Sequence, residues 1–150
     1  MVAVKQFKTN QGQVFASIFS EAEQSLLMNV FSDNGADEKE INSVIKYSLR
    51  HLKNKKLDYW LSDLSELQDK NGPKIKSVLK RLVEMLKRSH LKKFSLVSNR
   101  SLTERRKLER YIAKSGVEFK TFANLAKASE WLLVPELDAA IWDQSPELNF

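Results

Sequence analysis

Leu57-Asp58-Tyr59-Trp60-Leu61-Ser62-Asp63-Leu64 is followed by Asn71-Gly72-Pro73, by apolar residues at Ile75, Val78, Leu79, Leu82, Val83 and Leu86, and by Phe94-Ser95-Leu96-Val97-Ser98. This stretch decides the fold. Leu57, Tyr59 and Leu61 alternate with Asp58, Trp60 and Ser62, the period-two pattern of a strand. Asn71-Gly72 punctuates the chain, and Pro73 suits the first turn of a helix, where its missing N–H is no loss. The apolar positions that follow recur at helical spacing and form one stripe. Phe94 to Ser98 is a short apolar run of strand length. A strand, a helix and a strand in succession predict a right-handed crossover and a parallel pair.

The flanks extend the pattern. Upstream, the apolar run 14–20 and a second from Ser25 to Phe31 are joined by the polar residues 21–24, which predicts a β-hairpin. Ser32-Asp33-Asn34-Gly35 ends it. Asp37 and Glu40 have capping-box spacing, and Ile41, Val44, Ile45, Leu49 and Leu52 give the following helix an apolar face. Downstream, Ser101 and Glu104 repeat that spacing before a helix through Leu108, Tyr111 and Ile112. Gly116 stands where a helix ends. Residues 117–122 alternate as a strand, and Asn124 caps a short helix through Leu125, Ala128, Trp131 and Leu132 that Pro135 stops. The expected fold is α/β, a mixed and mostly parallel five-stranded sheet with four helices in the order β-β-α-β-α-β-α-β-α.

The 150 residues fit one domain on the usual range of about 100–200 residues per domain. Its expected extent is 1–133, with an acidic tail at 134–150. Cysteine is absent, which excludes disulfides, thiolate metal sites and cysteine nucleophiles. No leader-like or membrane-spanning apolar stretch is seen, so the cytoplasm is the expected compartment. Net charge is +6, but residues 70–120 carry 16 basic and 4 acidic groups, against 8 and 10 in 1–69 and 1 and 5 in 121–150. The positive excess is one central block.

In three places the chain resembles the SpoIIAA-like (STAS-related) domains, which include bacterial STAS/SEC14 domain-containing proteins. They are the strand 57–64 running into Ser65, the run 91–98, and Val117 to Phe122 leading to Ala128-Ser129-Glu130-Trp131-Leu132. The likeness covers about residues 14–133. It implies a regulatory domain acting through a protein partner. Anti-sigma-factor antagonists of this class carry a phosphorylatable serine in an Asp-Ser-Ser-Gly motif. The comparable stretch here is Asp69-Lys70-Asn71-Gly72, with both serines replaced, so no phospho-switch is expected there.

No catalytic constellation emerges. The four glycines include no Gly-x-Gly, which excludes dinucleotide and P-loop fingerprints. His51 and His90 each sit near a helix end beside lysines, without ligand partners at metal spacing. No cofactor is expected. Open α/β sheets bind ligands beyond the carboxyl ends of their strands. That makes Asp63, Ser65, Ser98, Asn99, Arg100 and Ser101 the candidate ligand or partner site. Their ordinary roles as turn acceptors and helix caps compete with it.

Lys76, Lys80, Arg81, Lys87 and Arg88 form a basic face, either a solvated helix surface or a dock for anionic lipid. Nucleic-acid binding wants aromatic groups among the charges, and 70–120 offers only Phe94, Tyr111 and Phe119 at core positions. The tail carries Leu137, Ile141, Trp142, Leu148 and Phe150. It is expected to dock with Trp142 as anchor, on this chain or on a second copy in a homodimer.

Overall fold

The computed structural model describes residues 1–67 and 72–133, with the side chains of 72–77 left aside. The loop residues 69–71, the side chain of Lys76, Pro135 and the tail with Trp142 lie outside the described residues. From Val14 onward the elements follow the expected order. They are β2 (Val14–Glu21), β3 (Leu26–Phe31), α1 (Glu38–Asn54), β4 (Tyr59–Asp63), α2 (Gly72–Lys87), β5 (Lys93–Val97), α3 (Leu102–Ile112), β6 (Glu118–Phe122) and α4 (Leu125–Leu133).

One strand was not expected. β1 (Val2–Lys8) pairs antiparallel with β2, so the sheet has six strands rather than five. The turn between them holds Gly12 at φ 84°, a left-handed conformation that favours glycine. Two bulges hide this hairpin from a period-two reading. The register passes from Ala3↔Phe19 to Lys5↔Ile18, leaving Val4 unpaired, and from Phe7↔Ala16 to Lys8↔Val14, leaving Phe15 unpaired. Val4 and Phe7 therefore both pack on the core although they stand three positions, an odd number, apart, and Phe15 and Ala16 are both buried although adjacent.

The sheet order is sequential, β1-β2-β3-β4-β5-β6. β1, β2 and β3 are antiparallel neighbours; β3, β4, β5 and β6 are parallel. Each parallel crossover steps one strand in the same direction. Right-handed crossovers then put every connecting helix on one side, and α1, α2 and α3 share one face, packed on Ile18, Leu27, Trp60, Phe94 and Leu96. α4 connects no further parallel strand among the described residues, so that rule does not bind it. It covers the opposite face, where Ala128 and Leu132 meet Leu26, Tyr59, Leu61 and Val97. β4 is thus buried on both sides, which explains why its polar-looking positions include Trp60, 1% exposed.

Local chemistry fixes the elements. The Asp37 carboxylate accepts from the Glu40 N–H at 2.8 Å, and Glu40 accepts from the Asp37 N–H at 3.1 Å, a complete capping box. Ser101 Oγ accepts from the Glu104 N–H at 3.2 Å, but the Glu104 side chain turns to Arg100 instead, 3.9 Å away. Gly116, at φ 83°, closes the turn after α3. Inside the α1 layer, buried Asn29 donates to Ser48 Oγ at 2.9 Å, and Ser48 donates to the Val44 carbonyl at 2.7 Å, tying β3 to α1. Trp60 stacks on Phe94 at 4.4 Å, and Phe94 meets Phe119 at 4.9 Å, an aromatic row across β4, β5 and β6.

The β6 edge is sealed by a carboxylate. Glu109 of α3 accepts from the Thr121 N–H at 2.8 Å and from its hydroxyl at 2.9 Å, while Arg106 donates to its other oxygen at 2.6 Å. An open edge amide that would invite another strand is thereby occupied. Burial would raise the Glu109 carboxyl, but the bonds from Thr121 and Arg106 outweigh it and hold it below the ordinary value.

Candidate functional site

The carboxyl ends of β4 and β5 bring together the residues the sequence singles out. Asp63, at the end of β4, accepts from the Ser65 N–H at 3.0 Å. Leu64 donates its N–H to the Val97 carbonyl at 2.8 Å. Across the gap, Asn99 Nδ2 donates to the Ser65 carbonyl at 3.0 Å. Ser98 Oγ accepts from the Arg100 N–H at 3.2 Å, Ser98 N–H donates to the Phe122 carbonyl at 3.0 Å, and Ser101 caps α3. Arg100 lies beside Glu104. Of the six, Asn99 and Ser65 join the two loops, Asp63 and Ser98 accept within their own turns, and Arg100 and Ser101 serve the start of α3. Among them stand no nucleophile, base and orienting group in sequence.

Topology explains why these loops knit together. A ligand crevice opens where connections from neighbouring strands leave toward opposite faces. β4 and β5 both lead to helices on the α1 face, so their loops run side by side and hydrogen-bond. The divergence lies one strand further on. β5 leads to α3 on one face and β6 to α4 on the other, and the Asn124 side chain caps α4 by accepting from the Lys127 N–H at 2.9 Å.

This end of the sheet carries two residues that sequence reasoning missed as surface groups. Leu102, the first residue of α3, is 56% exposed, and Leu125, the first of α4, is 39% exposed. Leu125 belongs to its helix stripe by spacing, but it is exposed at the start of α4, close after β6 ends at Phe122. Leu102 stands outside the stripe of Leu108, Tyr111 and Ile112. A large apolar residue immediately after a capping residue is the signal that finds both. Charges of both signs lie along the first turns of α3, where Arg100 pairs with Glu104 at 3.9 Å and Arg106 with Glu109 at 2.6 Å.

The basic face is only partly described. Lys80, Arg81 and Lys87 of α2 and Arg88 in the turn after it are all exposed, and Lys87 lies 3.4 Å from Glu84. Arg106, Lys107, Arg110 and Lys114 extend positive charge onto α3 and the turn after it. Of the aromatic residues of this segment, Phe94 is buried in the core, while Tyr111 and Phe119 are half-buried and pack against it.

The histidines have structural surroundings. His90 Nε2 lies 3.2 Å from the Leu57 carbonyl. His51 stacks parallel to Tyr47 at 6.2 Å, and burial, then the Lys55 charge, lower its pKa. Among the described residues no group of three His, Asp or Glu side chains is placed to hold a metal ion. None of their helices is long and apolar enough to cross a membrane. No family model, curated protein or solved structure matches the chain.

Proposed function

We propose that this chain is a non-enzymatic binding and regulatory module, related to the SpoIIAA-like (STAS-related) domains, that docks a protein partner at the carboxyl end of its sheet. The exposure of Leu102 and Leu125 at that end carries the reading. They start two helices that leave adjacent strands toward opposite faces, and arginines flank the first of them. The partner that fits presents an apolar anchor. The polar residues beside the leucines serve as turn and cap ligands, a scaffold for docking rather than a reaction centre. A cytoplasmic setting belongs to the same reading.

A photocrosslinking amino acid at position 102 tests it, with one at Lys46, exposed on α1, as control. Position 102 should give one discrete protein adduct in cells, and the purified partner should bind the purified chain. Equal labelling from both positions would defeat the proposal. The second reading, an anionic lipid surface held by Lys80, Arg81, Lys87 and Arg88, rests on their shared exposure along α2 and the turn that follows it. It predicts vesicle binding that weakens steeply as salt rises.

A further inference from the structure

We infer that the C-terminal segment 134–150 docks in cis on the α4 side of the sheet, across β2 and β3, with Trp142 against Phe19, Met28 and Val30. The register places these three residues on that side. Phe19 pairs with Met28 and Ser17 with Val30, and Met28 in turn lies beside Leu61, which is buried under α4. α4 packs on β4, β5 and β6, while Phe19, Met28 and Val30 remain half-buried. These apolar side chains continue the surface on which α4 lies.

The exit point of the chain selects the occupant. The Lys93 ammonium, at the start of β5, lies 3.5 Å from the Trp131 carbonyl and 5.2 Å from the Trp131 ring centre. The last turn of α4 therefore sits over the amino ends of β4 and β5, in the row Leu26–Tyr59–Lys93. The chain leaves α4 one strand from β3. From there to β2 is about 10–15 Å at the usual strand spacing. Nine residues separate Leu133 from Trp142, which span about 13 Å as helix and about 30 Å extended. Either conformation reaches.

Composition agrees. The segment has no basic residue, and its apolar Leu137, Ile141, Trp142, Leu148 and Phe150 match an apolar sheet face. Glu136 and Asp138 follow Trp131 by five and seven residues in the sequence, so the acids of the segment come early, soon after the residue that Lys93 contacts. The basic surfaces of α2 and α3 lie beyond the other face of the sheet, which makes them the less accessible alternative.

The absence of cysteine supplies a clean test in the full chain. Asp143→Cys, which keeps Trp142, is combined in turn with Ser17→Cys, Phe19→Cys, Lys46→Cys and Arg81→Cys, each variant is checked for native circular dichroism, and disulfide formation is followed under mild oxidation. Ser17 faces the proposed dock and is half-buried, so it keeps the test alive if Phe19→Cys fails to fold. The expected result is an intramolecular disulfide to position 17 or 19 forming at least about tenfold faster than to 46 or 81, because docking raises the local concentration. A preferred disulfide to position 81, equal rates at all positions, or disulfide-linked dimers in place of the intramolecular bond would each overturn the inference.

Discussion

Glu109→Gln removes a charge from the point where α3 holds the edge of the sheet. The carboxylate accepts two hydrogen bonds from Thr121, a residue 5% exposed, and one from Arg106. Glutamine keeps one carbonyl oxygen and so one good acceptor, but it loses the charge and turns an NH₂ toward groups that donate. A hydrogen bond to a charged group contributes about 1.5–3 kcal/mol, and we expect the substitution to cost about that much. At this chain length the melting temperature should fall by about 3–12 °C.

The pH dependence gives the sharper test. The Glu109 carboxyl lies below its ordinary value of 4.5 in the folded chain. A depressed folded-state pKa stabilises at pH above the unfolded value, and that contribution is lost as pH falls through the folded value. Glutamine does not titrate. Urea unfolding followed by circular dichroism at pH 7 and in steps down to pH 3 should show the wild-type advantage at neutral pH shrinking in acid below about pH 4.5. An advantage that is the same at pH 7 and pH 3, or below about 0.5 kcal/mol at pH 7, would refute the role assigned to this carboxylate.

Leu82, 4% exposed in the α1–α2 layer, should cost about 2–5 kcal/mol when changed to alanine, read as a shift of the urea midpoint at constant slope. Lys80→Glu with Arg81→Glu alters exposed positions and should leave stability within about 0.5 kcal/mol; a large fall in melting temperature would mean that this face is packed. Asp37→Ala removes one arm of the α1 capping box and should cost about 0.5–2 kcal/mol, with hydrogen exchange rising first in residues 38–41.

Elements whose signals are local were legible in the sequence. Asp37 with Glu40, Ser101 and Gly116 each do their work within a few residues, and each marks its boundary. The first strand was not legible, because the bulge at Val4 breaks its alternation and its partner lies across a turn. Trp60 illustrates a second limit. Alternation along 57–64 identifies a strand, but which side is solvent depends on helices elsewhere, and here both sides are covered. The candidate site was half legible. Asp63, Ser65 and the residues 98–101 do converge, because parallel strands align their carboxyl ends. The sequence does not reveal that neighbouring loops leave on the same side and bond to one another, since that follows from strand order. Leu125 shows the same thing at one residue, in phase with its helix yet exposed.

The claim that a protein docks at the carboxyl end of the sheet is tested most directly on the partner captured at position 102. Its affinity for the full chain would be measured against Leu102→Asp with Leu125→Asp, and against Lys80→Glu with Arg81→Glu, at low and high salt. Docking through the leucines predicts that the first pair abolishes binding, that the second changes it little, and that salt has a modest effect. Unchanged affinity on replacing both leucines, with binding lost on reversing the α2 charges and falling steeply with salt, would contradict it and move the interaction to the basic face.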